Sequence, residues 1–315
     1  MFVRFLQNRE YQILFGACVV LFLLWLTGVR YPIISDTEIY ALLGESVWSG
    51  NGYMLDGQPY AKHLPFHAIA SYPIVKLLGY SLGMKLSSLL AGIAVLIATF
   101  VLISQVFDKT TALGTVVAVA FHHGFVWMTV VGSADLLFSA LTLFSLICYV
   151  KAETNARWYL GAGLLLGLAC LTRYNGVPLF ALYGLWVIWK RRSHLQSKHF
   201  WQGMVGGCAV FYIWLARNKL LFGSALYSDY TGELSKQAPS LWDQFGSNLV
   251  YYGNPLHNVL PILLVFGLYG IWKQRRERLF LILAMAFLIS IAAIWWVQAM
   301  RFVFVAFPIL IAFAV

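Results

Sequence analysis

Long apolar runs separated by short polar segments dominate the chain. Ten of these runs hold roughly 14 to 24 residues each, close to the ~20 that a helix needs to cross the hydrocarbon layer of a bilayer. The pattern therefore predicts an all-α polytopic membrane protein with about ten transmembrane helices in one domain over residues 1–315. The predicted spans are 11–29, 83–106, 111–129, 135–150, 158–172, 175–189, 200–216, 256–272, 279–297 and 302–315.

Two long segments between the spans are predicted to lie on the same side of the membrane. The first, 30–82, has apolar positions at helical spacing over 37–48. A further apolar stretch, 66–78, is too short to span and is expected to form a second interfacial helix. The other long segment is 217–255. Long ordered loops at one membrane face commonly carry function, so we expect the chemistry there.

The composition supports a lipid environment. Hydrophobic residues make up 61% of the chain and charged residues 11%, and the mean hydropathy is +0.76. A water-soluble domain needs more charge to cover its surface. The net charge of +10 would suit nucleic-acid binding. That class is excluded because the basic residues form short clusters between apolar runs rather than one polar face.

The charges also orient the predicted bundle. With a cytoplasmic N-terminus, 13 of the 22 Lys and Arg residues fall on the inner side, including the clusters at 190–192 and 273–278. This arrangement follows the positive-inside rule. Eight of the 12 acidic residues fall on the outer side. We therefore expect a multi-pass cell-membrane protein whose working face is the outer one.

Three outer carboxylates are candidates for chemistry. Asp36 follows the first span and is interpreted either as the N-cap of the helix over 37–48 or as a general base for an acceptor hydroxyl or amine. Asp135, at the outer start of the fourth span, is either an N-cap or a partner of Asp36 in one cavity. Glu38 is a weaker candidate and is expected to complement the helix dipole in the first turn.

Four outer cations lie at span boundaries or in the outer loops: Lys62, Arg173, Arg217 and Arg301. Each alone is explained by snorkelling to lipid headgroups, whereas several converging on one pocket would bind a phosphate or diphosphate. His63 is added as a neighbour of Lys62. His122 and His123 have no third ligand nearby in sequence, so no metal or other cofactor is predicted.

The sequence lacks Walker, GxGxxG, HExxH and GxSxG motifs. Charged residues are nearly absent from the predicted span centres, which argues against an ion-coupled pump. A polytopic transporter or lipid flippase stays open as an alternative, although no repeat between the two halves supports it.

Several segments resemble, in the same order, motifs of the polytopic glycosyltransferases with the GT-C fold, in particular the branch of protein O-mannosyltransferases and lipid A aminoarabinose transferases. The segment 35–40 (SDTEIY) is similar to Asp-Glu-x-x-Tyr after the first span, and 57–65 (GQPYAKHLP) to Pro-Tyr-x-Lys-x-Pro. Residues 132–135 resemble a second acidic site. Further matches are 167–173 (GLACLTR), 217–224 (RNKLLFGS) and Arg301-Phe302, which stands where Arg-Tyr is usual.

The resemblance implies a GT-C-like domain that transfers a sugar from a polyprenyl-phosphate carrier to a protein, lipid or glycan acceptor. Asp36 would be the catalytic base and Asp135 a second acid, while Lys62, Arg173, Arg217 and Arg301 would hold the lipid phosphate. A non-catalytic relative that only binds the lipid is the second alternative.

The chain departs from the family pattern at two places. Thr37 separates Asp36 from Glu38, which are adjacent acids in the family motif. The chain also ends at Val315 within its tenth apolar run, so it is expected to be a short member or to lack a C-terminal part.

Overall fold

The computed structural model describes residues 8–228, 240–254, 261–295 and 297–315. Within these ranges the regular structure is helical apart from one short hairpin, which confirms the all-α prediction. Arg4, Asp229, Glu233 and Lys236, which entered the count of charges, lie outside the described residues, as does the start of the predicted span 256–272.

The first half of the chain forms seven helices and a β-hairpin. The helices are α1 (Arg9–Gly28), α2 (Ser35–Trp48), α3 (Pro65–Leu78), α4 (Tyr80–Val106), α5 (Lys109–Ala120), α6 (His123–Val131) and α7 (Ala134–Ala152). The hairpin pairs β1 (Met54–Leu55) with β2 (Gln58–Pro59) in antiparallel register.

The second half contributes seven more described helices, with short 3-10 turns between some of them. They are α8 (Trp158–Cys170), α9 (Val177–Lys190), α10 (Lys198–Phe222), α11 (Leu241–Gly253), α12 (Pro261–Gln274), α13 (Leu279–Ile294) and α14 (Phe307–Ala314). The 3-10 turn Tyr174–Gly176 joins α8 to α9 at the boundary between the predicted spans 158–172 and 175–189.

The length and apolar character of several helices indicate a multi-pass membrane protein, although they do not establish ten spans. Among the described residues α1, α4 and α7 are long and apolar enough to cross a bilayer individually. The predicted span 111–129 is not one straight helix, because the chain bends by 58° between α5 and α6. At the break His122 adopts an extended conformation, with φ −71° and ψ 121°, which interrupts the helical hydrogen bonds.

Small residues allow α8 and α10 to pack backbone against backbone. A Cβ atom added to Gly163 would lie 1.8 Å from the carbonyl oxygen of Gly203, and one added to Gly167 would lie 2.5 Å from that of Gly207. Two glycines at a spacing of four are typical of membrane helices that pack this closely. The contact holds together α8, which leads into Arg173, and α10, which carries Arg217; both are predicted cations.

Candidate active site

The carboxylate of Asp36 lies in the first turn of α2 and contacts two basic side chains. Oδ2 accepts a hydrogen bond from Nη2 of Arg301 at 3.0 Å, and Oδ1 lies 3.6 Å from Nε2 of His63. The interpretation of Asp36 as an N-cap is wrong, because α2 begins at Ser35 and Ile34 is its N-cap residue. Two residues beyond that position, the carboxylate faces residues from the loop and from the far end of the chain.

The first turn of α2 docks onto the turn that precedes α7. The hydroxyl of Thr37 is buried and donates to the carbonyl oxygens of Val131 at 2.8 Å and Gly132 at 3.2 Å. Gly132 has φ +79°, and a Cβ atom there would lie 2.5 Å from Cγ2 of Thr37. Glycine is therefore required both for the left-handed backbone and for the close approach of the two helices.

Asp135 forms a buried ion pair with Arg173. Its side chain is 2% exposed, and Nε and Nη2 of Arg173 lie 2.7 and 2.8 Å from Oδ1 and Oδ2. The hydroxyl of Ser133 also donates to Oδ2 at 2.5 Å. The interpretation of Asp135 as an N-cap is wrong, because Ser133 caps α7 by accepting from the Asp135 backbone N–H.

One cavity gathers three of the four predicted cations. Lys62, Arg173 and Arg301 line a cavity that measures about 580 Å³ with its open mouth, together with Tyr40, His63, Thr172, Tyr174, Asn175 and Phe302 among others. We call it the cationic cavity. The ring of Phe302 lies between two of the cations, 5.6 Å from Cζ of Arg173 and 5.3 Å from that of Arg301. Asp36 and Asp135 adjoin the cavity through their ion pairs with these arginines.

Arg217 has a different set of contacts. Its guanidinium donates to the carbonyl oxygens of Tyr60 at 2.9 Å and Tyr53 at 3.0 Å, and it lies against the ring of Trp214 with 4.8 Å to the centroid. These bonds tie the hairpin of the first long loop to the end of α10. Arg217 is not among the described residues that line the cationic cavity, and neither is Glu38, which is exposed on α2.

His63 is held rigidly against Asp36. Its ring is 6% exposed, stacks on Tyr60 at 5.6 Å, and places Nδ1 2.6 Å from the Tyr60 hydroxyl. The neighbouring His63 ring has the largest influence on the pKa of Asp36 and lowers it, partial burial raises it, and the charge of Arg301 lowers it again. The net effect holds the pKa of Asp36 well below its usual range, so the carboxylate is ionised at neutral pH.

His67 is a residue that sequence reasoning missed. It is fully buried in α3, and the ring of Tyr40 lies 4.9 Å from both His63 and His67. Burial lowers the pKa of His67 to about 4, so the ring is neutral at pH 7. The spacing of four from His63 gave no usable signal, because His63 precedes the start of α3 at Pro65 and the two residues do not share a helix.

A second, more apolar cavity of about 450 Å³ lies on the other side of Arg301. Its lining includes Ile34, Trp127, Met128, Met300 and Phe304 as well as Arg301 itself. Arg301 is therefore shared by a polar cavity and an apolar one. Among the described residues no three His, Cys, Asp or Glu side chains come together as a metal-binding group.

Comparison with known proteins identifies the architecture. The family model for dolichyl-phosphate-mannose-protein mannosyltransferase matches residues 69–216. ArnT from Cupriavidus metallidurans bound to undecaprenyl phosphate superposes with a TM-score of 0.68 at 15% identity, over 95% of this chain and 58% of ArnT. Its apo state gives a TM-score of 0.67 at 16% identity, with the same coverage.

The oligosaccharyltransferase of Archaeoglobus fulgidus, in complex with Zn and sulfate, is similar as well. It gives a TM-score of 0.57 at 14% identity, over 96% of this chain and 48% of that protein. The chain thus spans about half to three-fifths of the length of these structures. A comparison with curated proteins gives no match. Together with the motif order, these similarities establish that the chain has the GT-C fold of the polytopic membrane glycosyltransferases.

Proposed function

We propose that the protein transfers a sugar from a polyprenyl-phosphate carrier to an acceptor at the outer face of the membrane. The observation that carries the proposal is the meeting of Lys62, Arg173 and Arg301 around one cavity, with the Asp36 carboxylate bound to Arg301. These residues come from segments far apart in the sequence, so snorkelling of each to lipid does not account for their convergence.

Two comparisons support the donor class. ArnT, which shares the fold, has been crystallised with undecaprenyl phosphate. The matched family model describes enzymes that use a dolichyl-phosphate sugar. A polyprenyl phosphate needs both cations for its phosphate and an apolar surface for its chain. The cationic cavity and the apolar cavity, which meet at Arg301, supply these two properties side by side.

The proposed reaction is a single displacement at the anomeric carbon. The acceptor hydroxyl or amine attacks this carbon and gives its proton to Asp36, while the bond from carbon to the phosphate oxygen breaks. The polyprenyl phosphate leaves with the electron pair of that bond, and Lys62 and Arg301 stabilise its charge. One displacement of this kind inverts the configuration of the sugar.

Asp36 must first become a better base. While Arg301 and His63 hold it, its depressed pKa makes it a weak proton acceptor. Arg301 is 29% exposed and lines both cavities, so it has room to turn towards a donor phosphate. We propose that this exchange of partners raises the basicity of Asp36 only when the donor is bound. Asp36 would then activate the acceptor only after the donor has bound.

Asp135 is proposed to act through Arg173. The pair holds the Arg173 guanidinium at the wall of the cavity, so that its outer edge faces the phosphate. Asp135 itself is buried, and both of its carboxylate oxygens contact Arg173, with Ser133 donating to Oδ2 as well. We assign it a positioning role rather than contact with the acceptor.

The orientation proposed from the charge distribution places these groups outside, with the N-terminus in the cytoplasm. The sugar and the acceptor are not assigned. The test is a transfer assay in membranes with labelled polyprenyl-phosphate sugars, comparing the wild type with Asp36→Asn and with Glu38→Gln as a matched control on the same helix turn. We expect loss of transfer in the first variant only, by a factor of at least about 100.

Equal transfer in Asp36→Asn and the wild type would refute the base assignment. Donor binding without transfer in the wild type would instead indicate the non-catalytic lipid-binding alternative. Movement of the labelled lipid across the bilayer without transfer would indicate a flippase.

A further inference from the structure

A second polar cavity opens at the end of the bundle opposite Asp36. α7 begins at Ala134 beside the candidate site and ends at Ala152, so its 19 residues separate the two ends by about 28 Å. The cavity measures about 1010 Å³ with its open mouth. It lies between the C-terminal ends of α4, α7 and α9 and the start of α13, and we call it the basal groove.

The groove carries an excess of positive charge. Its charged lining comprises the cations Lys190, Arg191, Arg276 and Arg278 and the carboxylates Glu153 and Glu277. Glu153 is already paired with Arg191, whose Nη2 lies 3.1 Å from Oε2. Nε of Arg278 is buried, and none of the described residues accepts a hydrogen bond from it. The groove thus offers cations that its own carboxylates do not neutralise.

The backbone adds a further anion-binding element. Helix α13 has 16 residues and starts at Leu279 without a side-chain cap. Its first hydrogen bond within the helix runs from Ile282 N–H to the carbonyl of Arg278. The N–H groups of Leu279, Phe280 and Leu281 precede that bond, and all three residues line the groove. A helix N-terminus combines such N–H groups with a partial positive charge, which suits a phosphate.

Aromatic and apolar side chains form the remaining walls of the groove. Trp186, Phe280 and Val106 line it, and beside it Trp189 is 56% exposed with the Lys190 ammonium 4.0 Å from its ring centroid. Tryptophan with a neighbouring cation is typical of the membrane–water interface. The groove therefore combines phosphate-binding groups with walls that suit the first carbons of an acyl chain.

From this combination we infer that the basal groove binds the phosphate headgroup of an anionic membrane lipid. Basic pockets between membrane helices are suited to such headgroups. The site is separate from the proposed donor site because it lies at the opposite end of α7. Phosphate chemistry alone would also admit a soluble phosphate ester, but that ligand would leave the apolar walls uncovered.

The test measures lipid binding to the full chain in detergent micelles by native mass spectrometry. The probes are phosphatidylglycerol, phosphatidylcholine of the same acyl length, and glycerol 1-phosphate as the soluble headgroup. We expect the wild type to prefer phosphatidylglycerol over phosphatidylcholine by at least about tenfold, with a preference that falls as salt rises. Millimolar glycerol 1-phosphate is expected to leave the bound lipid in place.

Two triple variants test the location. Lys190→Gln/Arg276→Gln/Arg278→Gln removes three cations from the groove, while Lys198→Gln/Lys273→Gln/Arg275→Gln removes three exposed cations that do not line it. Since each interfacial cation contributes about a fivefold change in affinity, the first variant should lose at least about tenfold in binding. The second should stay within about twofold.

Three results would overturn the inference: no lipid preference in the wild type, equal loss in both variants, or displacement of the lipid by glycerol 1-phosphate. The first and third need no variant, so the test holds even if the groove variant fails to fold. Failure of Asp36→Asn to abolish transfer would leave this inference untouched, because the two sites are tested by different readouts.

Discussion

The buried pair of Asp135 and Arg173 allows the roles of Arg173 in stability and in phosphate binding to be separated. Arg173→Gln removes the cation and leaves a carboxylate, 2% exposed, with Ser133 as its main remaining partner. Breaking a buried ion pair in this way costs about 3–5 kcal/mol of unfolding free energy. Asp135→Asn should cost less, about 1–3 kcal/mol, because Arg173 is 17% exposed and borders a cavity where water can solvate it.

The double variant Arg173→Gln/Asp135→Asn sharpens this prediction. It replaces the two charges by amides that can hydrogen-bond to each other, so its loss of stability should be smaller than that of Arg173→Gln alone. The expected coupling energy between the two sites is about 1–3 kcal/mol. The assay is unfolding by SDS titration in detergent micelles, followed by circular dichroism.

Arg157→Gln is the matched control, because Arg157 is exposed at the start of α8. It should change the unfolding free energy by less than about 0.5 kcal/mol. The reasoning is refuted if Arg173→Gln costs less than about 1 kcal/mol while strongly raising the KM for the donor. Arg173 would then be chiefly a ligand-binding cation, with no structural pair to maintain.

Two further variants test the surroundings of the site. His63→Leu removes the group that lowers the pKa of Asp36 most, so the acidic limb of the pH profile of kcat/KM should move to higher pH. His63→Gln retains a hydrogen-bond donor near the position of Nε2, so the acidic limb should stay in place. An unmoved limb in His63→Leu would contradict the assignment. Arg217→Gln loses its bonds to the carbonyls of Tyr53 and Tyr60, so limited proteolysis of the hairpin should accelerate while the KM for the donor stays unchanged. A raised KM without faster proteolysis would instead support the phosphate-binding role predicted from the sequence.

Hydropathy and charge patterning were sufficient to predict most helices of the fold. They missed the bend within 111–129, because the bend at His122 is set by local backbone conformation rather than by hydrophobicity. Hydropathy averages over a window of many residues, so a two-residue interruption between apolar segments leaves no trace in it. The α8–α10 contact, in contrast, was predictable, because small residues at a spacing of four identify a close-packed face directly.

The sequence was sufficient to predict most residues of the site, but it predicted the contacts between them only in part. Arg301 was predicted as one of four outer cations, but its pairing with Asp36 joins positions 265 residues apart. That pairing depends on how α2 docks onto the Gly132 turn, which no local pattern encodes. The same limit explains Arg217, whose partners are backbone carbonyls. Any sequence can supply a carbonyl, so residue types alone give no indication of this contact.

Because Asp36 pairs with Arg301, the affinity for the donor and the basicity of Asp36 are thermodynamically coupled. If a donor phosphate draws Arg301 away from Asp36, then by thermodynamic linkage the ionised Asp36 must weaken donor binding by the same factor. Asp36→Asn should therefore bind the polyprenyl-phosphate donor more tightly even though it cannot transfer the sugar. Both side chains are about one-third exposed, so the pair contributes only about 0.2–1 kcal/mol, which corresponds to roughly a 1.5- to fivefold lower Kd.

Equilibrium binding of a labelled donor to the purified variant measures this difference directly, with Glu38→Gln as the charge-matched control. Glu38 is exposed on the same helix turn, so its neutralisation removes the general effect of a nearby negative charge but no partner of Arg301. Tighter binding in Asp36→Asn alone would support the exchange of partners. Weaker binding in Asp36→Asn would show that Asp36 holds Arg301 in its phosphate-binding position, and the proposed release of the base would then be wrong.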